Sequence, residues 1–463
     1  MRWHAIALSM GLLLSACDEA TSSTLPPRTG GLVDARGYEL PQAPDVRDGP
    51  LDPTLASEID SFLVGIGEGF DPDVVSAIAD SGDARLGWLL SDLLRFIQIG
   101  PPSDQLKAGF EQLTGVDLDA DPGAATSVWR SVTDHLIAWD LPAPPGYQEM
   151  KSKLFLLIEP RWEPFFSDLD ADVDWRWVSW GGVLIDDRPL GDSEACEFGC
   201  IPALDDPALT DAASGDWYPN GSTVFGLILG GEAVALPKNV MEVHEMANMT
   251  VGGRRLGIPY CTLCGSAQAY LTDVGDEPLV LRTSGLLSRS NKVMYDLGTK
   301  SMFDTFTGAA VSGPLQDAGL ILEQVTVVVS TWGEWRAAYP ETKIVAKDGG
   351  IGRTYPDDPL EGRDAAGPVF PVGDVDPRLP AQAQVVGVVS ADGTPVAFPV
   401  DQASATIEAG SNVEAAGVSL VSDGGGFRAV EDDGEELATH QAFWFAWSQF
   451  HPDTVVWTPL AEG

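Results

Sequence analysis

The chain has few basic residues for its size. Its 463 residues include 27 Lys and Arg against 69 Asp and Glu, which gives a formal net charge of −42 at pH 7. A surface this negative repels phosphate backbones and anionic lipid head groups, so we expect no nucleic-acid partner. The same charge favours solubility and attracts cations, but it does not identify a particular cation.

Long apolar runs are also scarce, whereas a membrane-spanning helix needs roughly eighteen apolar residues. The run from Ala5 to Leu14, which follows Arg2, has the length of the apolar part of a secretory signal. It leads into Leu14-Ser15-Ala16-Cys17, which resembles the lipobox of bacterial lipoproteins and implies that Cys17 is lipidated. We therefore expect residues 1–17 to be a lipoprotein signal peptide. The alternative is an ordinary signal peptide in which Cys17 is incidental.

The resemblance to lipoproteins also implies a location. In a bacterium with two membranes, Asp18 directly after the Cys favours retention at the inner membrane. We expect a protein anchored to the cell membrane by its lipid alone, facing the periplasm or the cell exterior. The sequence names no protein partner.

Cysteine is rare, with five in the whole chain. If Cys17 carries lipid, the other four fall into two close pairs, Cys196/Cys200 and Cys261/Cys264. Outside the cytoplasm, thiols persist as disulfides, as metal ligands or as redox groups. Each pair therefore needs one of these three explanations.

The rest of the composition is that of a globular protein of two or three domains, with 44% hydrophobic and 21% charged residues. Residues 18–54 are rich in Ser, Thr, Pro and Gly and predict a flexible tether. Residues 55–167 repeat apolar side chains every three or four positions, which predicts short helices, with His135 on a helix surface. Residues 168–463 contain short apolar strands between turns. The predicted class is α+β, a helical N-terminal region followed by a β-rich core.

One internal repeat is visible in the β-rich part. Residues 224–237 and 385–399 share a short apolar strand with a central Gly, a Gly-containing turn, a second strand and a closing Pro. This pattern predicts a duplicated β-hairpin, with chance similarity as the alternative. His244, Glu245 and the Cys261/Cys264 pair follow the first copy, whereas the matching stretch after the second copy has no Cys or His.

Cys261-Thr262-Leu263-Cys264-Gly265 is the most informative motif. Two residues between thiolates, followed by Gly, is the spacing of a metal-binding knuckle. The same spacing suits a redox pair in which the second thiolate resolves a mixed disulfide. A structural disulfide is the third interpretation. The segment after Gly265 has a weak helical pattern, so we do not expect a thioredoxin-like fold.

Partners for a metal are few, because the chain has five His. His244 and His440 are the candidate nitrogen ligands beside Cys261 and Cys264, with Glu245 as ligand, supporting carboxylate or base. Two thiolates with imidazole suit zinc, copper or iron. The alternative for His244 is a histidine that holds a loop by hydrogen bonds. For Cys196 and Cys200 a local disulfide is the first interpretation, and a second metal-binding arm is the alternative.

Several long strings resemble one bacterial family, known as domain of unknown function 3179, from about Trp177 to Thr454. They include Val243-His244-Glu245, Tyr260-Cys261-Thr262-Leu263-Cys264-Gly265-Ser266, Ser284-Gly285-Leu286-Leu287, Thr331-Trp332-Gly333-Glu334-Trp335 and His451-Pro452-Asp453-Thr454. The resemblance implies that the His-Glu and Cys-x-x-Cys strings belong to one pattern, but it supplies no reaction. The family pattern has Trp, Asp and Pro where this chain has Val243, Met249 and Thr262. The change at Met249 removes a carboxylate that could support the site, which puts full activity in doubt.

Other polar residues form a weaker cluster. Ser284, Ser288, Arg289, Ser290 and Asn291 follow a predicted strand and could line a pocket with Tyr295 and Asp296. None of these serines lies in a Gly-x-Ser-x-Gly turn, which argues against a serine hydrolase.

Two functional hypotheses follow from the sequence. In the first, Cys261, Cys264, His244 and Glu245 form a site for metal binding or thiol redox chemistry on an exported, lipid-anchored protein. In the second, the protein is a non-catalytic binding or scaffold lipoprotein whose four cysteines form two local disulfides. The substrate stays unidentified in both.

Overall fold

The computed structural model describes residues 22–25, 30–194, 196, 199–275 and 277–459. It confirms the α+β class, with helices first and several sheets after them. The predicted signal peptide and the lipidation site Cys17 lie outside the described residues. Across the described ranges, no helix combines the length and the apolar character that crossing a membrane requires.

The N-terminal region is helical, as the apolar spacing predicts. Asp52 and Asp71 accept hydrogen bonds from the first turns of the helices that follow them, and Pro53 and Pro72 occupy the first helical positions. The described helices of this region are α1 (Pro53–Gly65), α2 (Pro72–Ser81), α3 (Gly87–Phe96), α4 (Pro101–Thr114), α5 (Val128–Ala138), α6 (Tyr147–Ile158) and α7 (Glu163–Phe166).

One prediction for this region is wrong. His135 in α5 is fully buried, with 0% of its surface exposed, rather than lying on a helix surface. Its Nδ1 is 2.8 Å from the carbonyl oxygen of Ser131, and its ring lies beside those of Phe110 and Trp139. The apolar stripe of the helix is wide enough to include the polar ring.

The rest of the chain is built from short strands and short helices. The strands are β1 (Ser22–Thr24), β2 (Val178–Trp180), β3 (Leu204–Asp205), β4 (Leu209–Asp211), β5 (Thr223–Leu229), β6 (Glu232–Pro237), β7 (Met246–Val251), β8 (Arg254–Cys261), β9 (Ser266–Ala267), β10 (Ala269–Leu271), β11 (Leu281–Ser288), β12 (Asn291–Asp296), β13 (Met302–Asp304), β14 (Gln324–Val325), β15 (Val328–Thr331), β16 (Lys343–Val345), β17 (Gln384–Val389), β18 (Pro395–Pro399), β19 (Val413–Ala415), β20 (Val418–Asp423), β21 (Gly426–Glu431), β22 (Glu436–Leu437), β23 (Thr439–Phe443) and β24 (Val455–Pro459). The helices are α8 (Lys238–His244), α9 (Gly313–Asp317), α10 (Trp332–Ala338), α11 (Val400–Glu408) and α12 (Trp444–Phe450).

The duplicated hairpin is confirmed, and the repeated unit is larger than the hairpin. Strands β15-β5-β6-β16 form one sheet in that order, and β23-β17-β18-β24 form another. In both sheets the first two pairings are antiparallel and the third is parallel. In both, a helix follows the hairpin (α8 or α11) and a second helix precedes the last strand (α10 or α12). The β-rich core therefore contains two copies of one four-stranded unit.

The same tryptophan packing occurs in both units. A Cβ atom added at Gly226 would overlap the ring of Trp335, and one at Gly387 would overlap the ring of Trp447. The central glycine of each hairpin is needed because a tryptophan ring lies directly on the strand. Each indole then donates a hydrogen bond to a threonine seven residues later, at 3.0 Å in the first unit and 2.8 Å in the second.

The helical region and the β-rich core share contacts. Trp162 is fully buried, and its Nε1 donates to the carbonyl oxygen of Ser284 in β11 at 2.7 Å. The rings of Phe165 and Tyr295 lie 5.3 Å apart. These contacts join the end of the helical region to β11 and β12, the hairpin that also reaches the site described below.

Part of the segment predicted as a tether lies against the fold. Strand β1 pairs antiparallel with β24 at the edge of the second unit. Asp34 is 2% exposed and accepts hydrogen bonds from the backbone of Arg36 and Tyr38. The carbonyl oxygen of Val33, the residue before Asp34, accepts from the backbone of Val375 at 2.8 Å. These described parts of the segment therefore contact the β-rich region.

Candidate thiol site

The Cys-x-x-Cys motif forms a tight turn at the end of β8. The backbone N–H of Cys264 donates to the carbonyl oxygen of Cys261 at 3.2 Å, and Ser266 pairs back with Cys261. Gly265 has φ +59°, and a Cβ atom there would come within 2.8 Å of the Phe443 ring, so glycine is required. The turn leads into strand β9 rather than a helix, as expected from the weak helical pattern.

Both thiols are free and buried. Cys261 is 2% exposed and Cys264 is fully buried, and neither forms a disulfide with another described residue. Their sulfurs lie 3.7 and 3.5 Å from the carbonyl oxygen of Ser290, in the turn between β11 and β12. The carbonyl oxygen of Cys264 accepts from the backbone of Phe443 at 2.9 Å. The turn is thus held between the β11–β12 hairpin and the second four-stranded unit.

The two thiols differ in acidity. Burial and the charge of Glu245 raise the pKa of the Cys261 thiol. The hydrogen bond that Cys264 donates to it, together with the backbone N–H and the charge of Lys292, outweighs them and brings that pKa below its usual value. Burial and the neighbouring Cys261 sulfur raise the pKa of Cys264. Cys261 is therefore the more easily ionised thiol, and Cys264 is the proton-bearing partner.

Glu245 and Lys292 form hydrogen bonds with each other and with the residues of the thiol turn. Glu245 has φ 52° at the end of α8, where the backbone leaves the helix in a left-handed conformation. Its carbonyl oxygen accepts from Lys292 Nζ at 2.5 Å and from the backbone of Tyr260 at 3.0 Å. Its carboxylate accepts from the Thr262 hydroxyl at 2.8 Å and lies 3.3 Å from Lys292 Nζ. The carboxylate and the ammonium therefore form an ion pair beside Cys261, in which Glu245 raises and Lys292 lowers the pKa of the thiol.

A cavity of about 370 Å³ opens beside Cys261. Cys261, Thr262, Glu245 and Lys292 form part of its lining, and its other walls are largely apolar. Cys264 is not part of the lining. The residue with the more acidic thiol thus lines a space of small-molecule size, whereas Cys264 does not.

His244 does not join the thiol pair. Its Nδ1 lies 2.7 Å from the carbonyl oxygen of Pro202, and its Nε2 lies 2.7 Å from the Tyr355 hydroxyl. Burial lowers the pKa of His244 to about 4, so the ring is neutral near pH 7. Both nitrogens are engaged in holding a loop, the arrangement of the alternative interpretation. Glu245, the next residue, does reach the site.

His440 lies in a separate place, on β23 of the second unit. Its Nδ1 is 3.1 Å from Gln324 Nε2, and its ring packs beside Phe306 and Trp447. Burial lowers its pKa to about 3. His440 thus belongs to an aromatic cluster rather than to the thiol turn.

The predicted metal ligands do not gather around one point. Among the described residues, the group whose ligand atoms all lie within 4.8 Å is Asp186, Cys196 and Cys200. Cys196 and Cys200 are joined as a disulfide with Cα atoms 5.3 Å apart, as first predicted, and Asp186 pairs with Arg188 at 2.7 Å. Cys261, Cys264, His244 and His440 form no such group, and zinc, copper or iron binding by the thiols stays a prediction.

Sequence reasoning did not single out Lys292. The residue is 2% exposed in β12, and it reaches Glu245 from a strand that follows the motif by about thirty residues in the chain. The feature of the sequence that could have identified Lys292 is its position immediately before the apolar run Val293-Met294-Tyr295 of a buried strand. A buried lysine requires a partner, and that requirement points to a carboxylate or to carbonyl oxygens.

The comparisons agree with the resemblance seen in the sequence. Residues 199–432 match the family described as "Protein of unknown function (DUF3179)". The match includes the thiol turn, Glu245 and Lys292, and it ends before His440. No curated protein and no solved structure matches the chain. Since the matched residues make up half of the sequence, the chain belongs to the DUF3179 family.

Proposed function

We propose that this is an exported, lipid-anchored protein in which Cys261 and Cys264 form a dithiol that exchanges with small-molecule disulfides. The observation that carries the proposal is a free thiol of lowered pKa on a residue that lines a small-molecule cavity, with a second free thiol beside the same carbonyl oxygen of Ser290. Anchoring through Cys17 places the dithiol outside the cytoplasm, where disulfides persist.

The exchange takes two steps. The Cys261 thiolate attacks one sulfur of the bound disulfide, forms a mixed disulfide and releases the other half as a thiolate. Cys264 then loses its proton to that thiolate and attacks the Cys261 sulfur. The second half leaves as a thiolate, which takes up from solvent the proton that Cys261 released on ionising, and a Cys261–Cys264 disulfide remains. The substrate disulfide has gained two electrons and two protons, and the protein dithiol has lost them.

Lys292 and Glu245 are positioning residues in this scheme. The charge and the backbone N–H of Lys292 stabilise the Cys261 thiolate, while Glu245 holds the lysine in place. The Thr262 hydroxyl donates to the Glu245 carboxylate and holds that carboxylate next to Lys292. The site thus favours a thiolate at Cys261 and not at Cys264.

The test is a trapping experiment in a Cys17→Ser background, so that the thiols examined belong to the two pairs. Reduced protein is mixed anaerobically with glutathione disulfide, and the products are identified by mass spectrometry. The parent protein should become oxidised at Cys261–Cys264 without retaining glutathione. Cys264→Ser should retain one glutathione on Cys261, and Cys261→Ser should react much more slowly.

The double variant Cys196→Ser/Cys200→Ser is the matched control and should react like the parent. Circular dichroism and thermal unfolding establish that each variant is folded. Equal trapping in Cys261→Ser, or no mixed disulfide in a folded Cys264→Ser variant, would overturn the proposal. Elemental analysis of the same samples tests the metal alternative, because stoichiometric zinc, copper or iron that is lost in Cys261→Ser would replace the redox assignment.

A further inference from the structure

A second cavity lies beside the β11–β12 hairpin. It has a volume of about 350 Å³ and lies between the segment after α7, the β11–β12 turn, β13 and the end of α12. Its walls are mostly apolar and include Trp177, Leu286, Met302, Phe303, Val311 and Phe450. A concave apolar site of this size, with a few converging polar groups, is the usual form of a small-molecule site.

Four polar side-chain atoms of residues that line this cavity are buried without a hydrogen-bond partner in the described part of the chain. They are Arg289 Nε, Trp177 Nε1, Asn291 Oδ1 and Gln449 Oε1. Asn291 is only 2% exposed. Each such atom destabilises the folded protein when it is left unsatisfied. A cluster of four around one cavity therefore indicates a ligand that satisfies them.

The guanidinium of Arg289 is held in place. It stacks on the Trp177 ring with its central carbon 3.3 Å from the ring centroid, and its Nη1 donates to the carbonyl oxygen of Gln449 at 2.7 Å. The backbone N–H of Arg289 donates to the carbonyl oxygen of Trp177 at 2.7 Å. Within the described ranges, Arg289 forms no ion pair within 4.0 Å. A fixed, half-buried cation without an ion-pair partner favours an anionic group on the ligand.

The cavity also contains hydrogen-bond acceptors without a partner, so a ligand with an anionic group must carry a hydrogen-bond donor as well. Gln449 donates its Nε2 to the carbonyl oxygen of Val372 at 3.0 Å, which identifies its Oε1 as an acceptor. Asn291 Oδ1 is a second acceptor, and Asp174 and Asp304 also line the cavity. A simple carboxylic acid would leave both amide oxygens unsatisfied and would face two aspartates. A simple amine would face Arg289.

A zwitterion meets both requirements. We propose that this cavity binds a free α-amino acid with an apolar side chain. Its carboxylate accepts from Arg289 Nε and Trp177 Nε1, and its ammonium group donates to Asn291 Oδ1 and Gln449 Oε1. Its side chain packs on the apolar wall. Lys292 and Leu286 line this cavity and also the one beside Cys261, so the two cavities share a wall.

The test measures binding to the full chain by calorimetry and by thermal stabilisation, with L-leucine, L-methionine and L-phenylalanine as probes. At least one should bind with a Kd below about 1 mM. N-acetyl-L-leucine lacks the ammonium group and L-leucinamide lacks the carboxylate, so each should bind at least about tenfold more weakly than L-leucine. Absence of binding by all three amino acids, or equal binding of the two derivatives, would overturn the proposal.

Variants locate the site. Arg289→Lys keeps the charge but removes the Nε donor, and Gln449→Leu removes the acceptor at similar size, so both should weaken binding at least about tenfold. Arg336, which is partly exposed, and Gln402, which is exposed, do not line the cavity. Arg336→Lys and Gln402→Leu are therefore matched controls that should bind normally. Unchanged binding in folded Arg289→Lys and Gln449→Leu would overturn the assignment. The Cys261→Ser/Cys264→Ser protein should still bind, which separates this proposal from the redox proposal.

Discussion

The ammonium nitrogen of Lys292 lies 2.5 Å from the main-chain carbonyl oxygen of Glu245 and 3.3 Å from its carboxylate. This contact joins strand β12 to the end of α8, next to Cys261 at the end of β8. Lys292 Nζ also lies 3.5 Å from the carbonyl oxygen of Tyr260, the residue before the cysteine. A buried positive charge is thus anchored to two backbone carbonyl oxygens beside the thiol turn.

Replacing this charge should make Cys261 less acidic. In Lys292→Met the thiolate loses a nearby cation, so the pH profile of its alkylation should move up by about one unit. The measurement is the rate of iodoacetamide labelling of Cys261 against pH, followed by mass spectrometry. The exposed Lys347 provides the control, because Lys347→Met should leave the profile in place. An unchanged profile in folded Lys292→Met would mean that the lysine does not tune the thiol.

The number of free thiols separates the redox proposal from the scaffold alternative. Protein with Cys17→Ser, purified anaerobically and denatured without reductant, should titrate two thiols, because Cys196 and Cys200 are joined and Cys261 and Cys264 are free. Cys261→Ser/Cys264→Ser should titrate none, and Cys196→Ser/Cys200→Ser should again titrate two. If the parent protein titrates none, both pairs are disulfides and the scaffold alternative gains support.

The duplicated unit makes a prediction about stability. Gly226→Ala and Gly387→Ala each place a methyl group where a tryptophan ring lies, so each should lower the free energy of unfolding by about 1–3 kcal/mol. Gly221→Ala is the control, because a Cβ atom there meets nothing within 4 Å. Urea unfolding followed by tryptophan fluorescence measures the difference. Equal stability of all three variants would show that the ring packing is looser than described.

The sequence predicts the hairpin of the repeat but not the whole unit. Two strands, a Gly turn and a Pro are local features, so the similarity of residues 224–237 and 385–399 is visible along the chain. The last strand of each unit lies much later in the sequence and pairs in parallel with the hairpin, β16 with β6 and β24 with β18. A tryptophan followed by a threonine seven residues later occurs in both units. This pair can be recognised as part of the repeat only after the structure shows each tryptophan ring on the central glycine of its hairpin.

The same limit applies to the thiol site. The Cys261/Cys264 motif and Glu245 are predicted, because spacing indicates thiol chemistry and Met246 pairs with Pro259 in the β7–β8 hairpin. The spacing of residues along the chain does not, however, determine where each side chain points. The helix α8 ends between His244 and Glu245, so His244 turns toward Tyr355 while Glu245 reaches the thiol turn. Lys292 comes from a different hairpin, and local sequence gives no indication of that contact.

The buried histidines predict loss of stability in mild acid. Burial lowers the pKa of His244 and His451 to about 4 and that of His440 to about 3, whereas the unfolded value is 6.5. The unfolded state therefore takes up protons first as the pH falls below about 6.5. Stability is complete above that pH and is lost as the pH falls toward the folded values. Asp134 acts in the opposite direction, because burial raises its pKa to about 6 and the folded state takes up its proton first.

A difference between two proteins isolates the contribution of one histidine. His440→Asn removes a group that titrates in the unfolded state alone between about pH 6 and 4. The variant should lose less stability over this range than the parent, by up to about 1.4 kcal/mol for each pH unit. Urea unfolding of both proteins at several pH values gives the two slopes, and the contribution of Asp134 cancels because both proteins contain it. Parallel slopes would mean that His440 is charged in the folded protein or is reached by water.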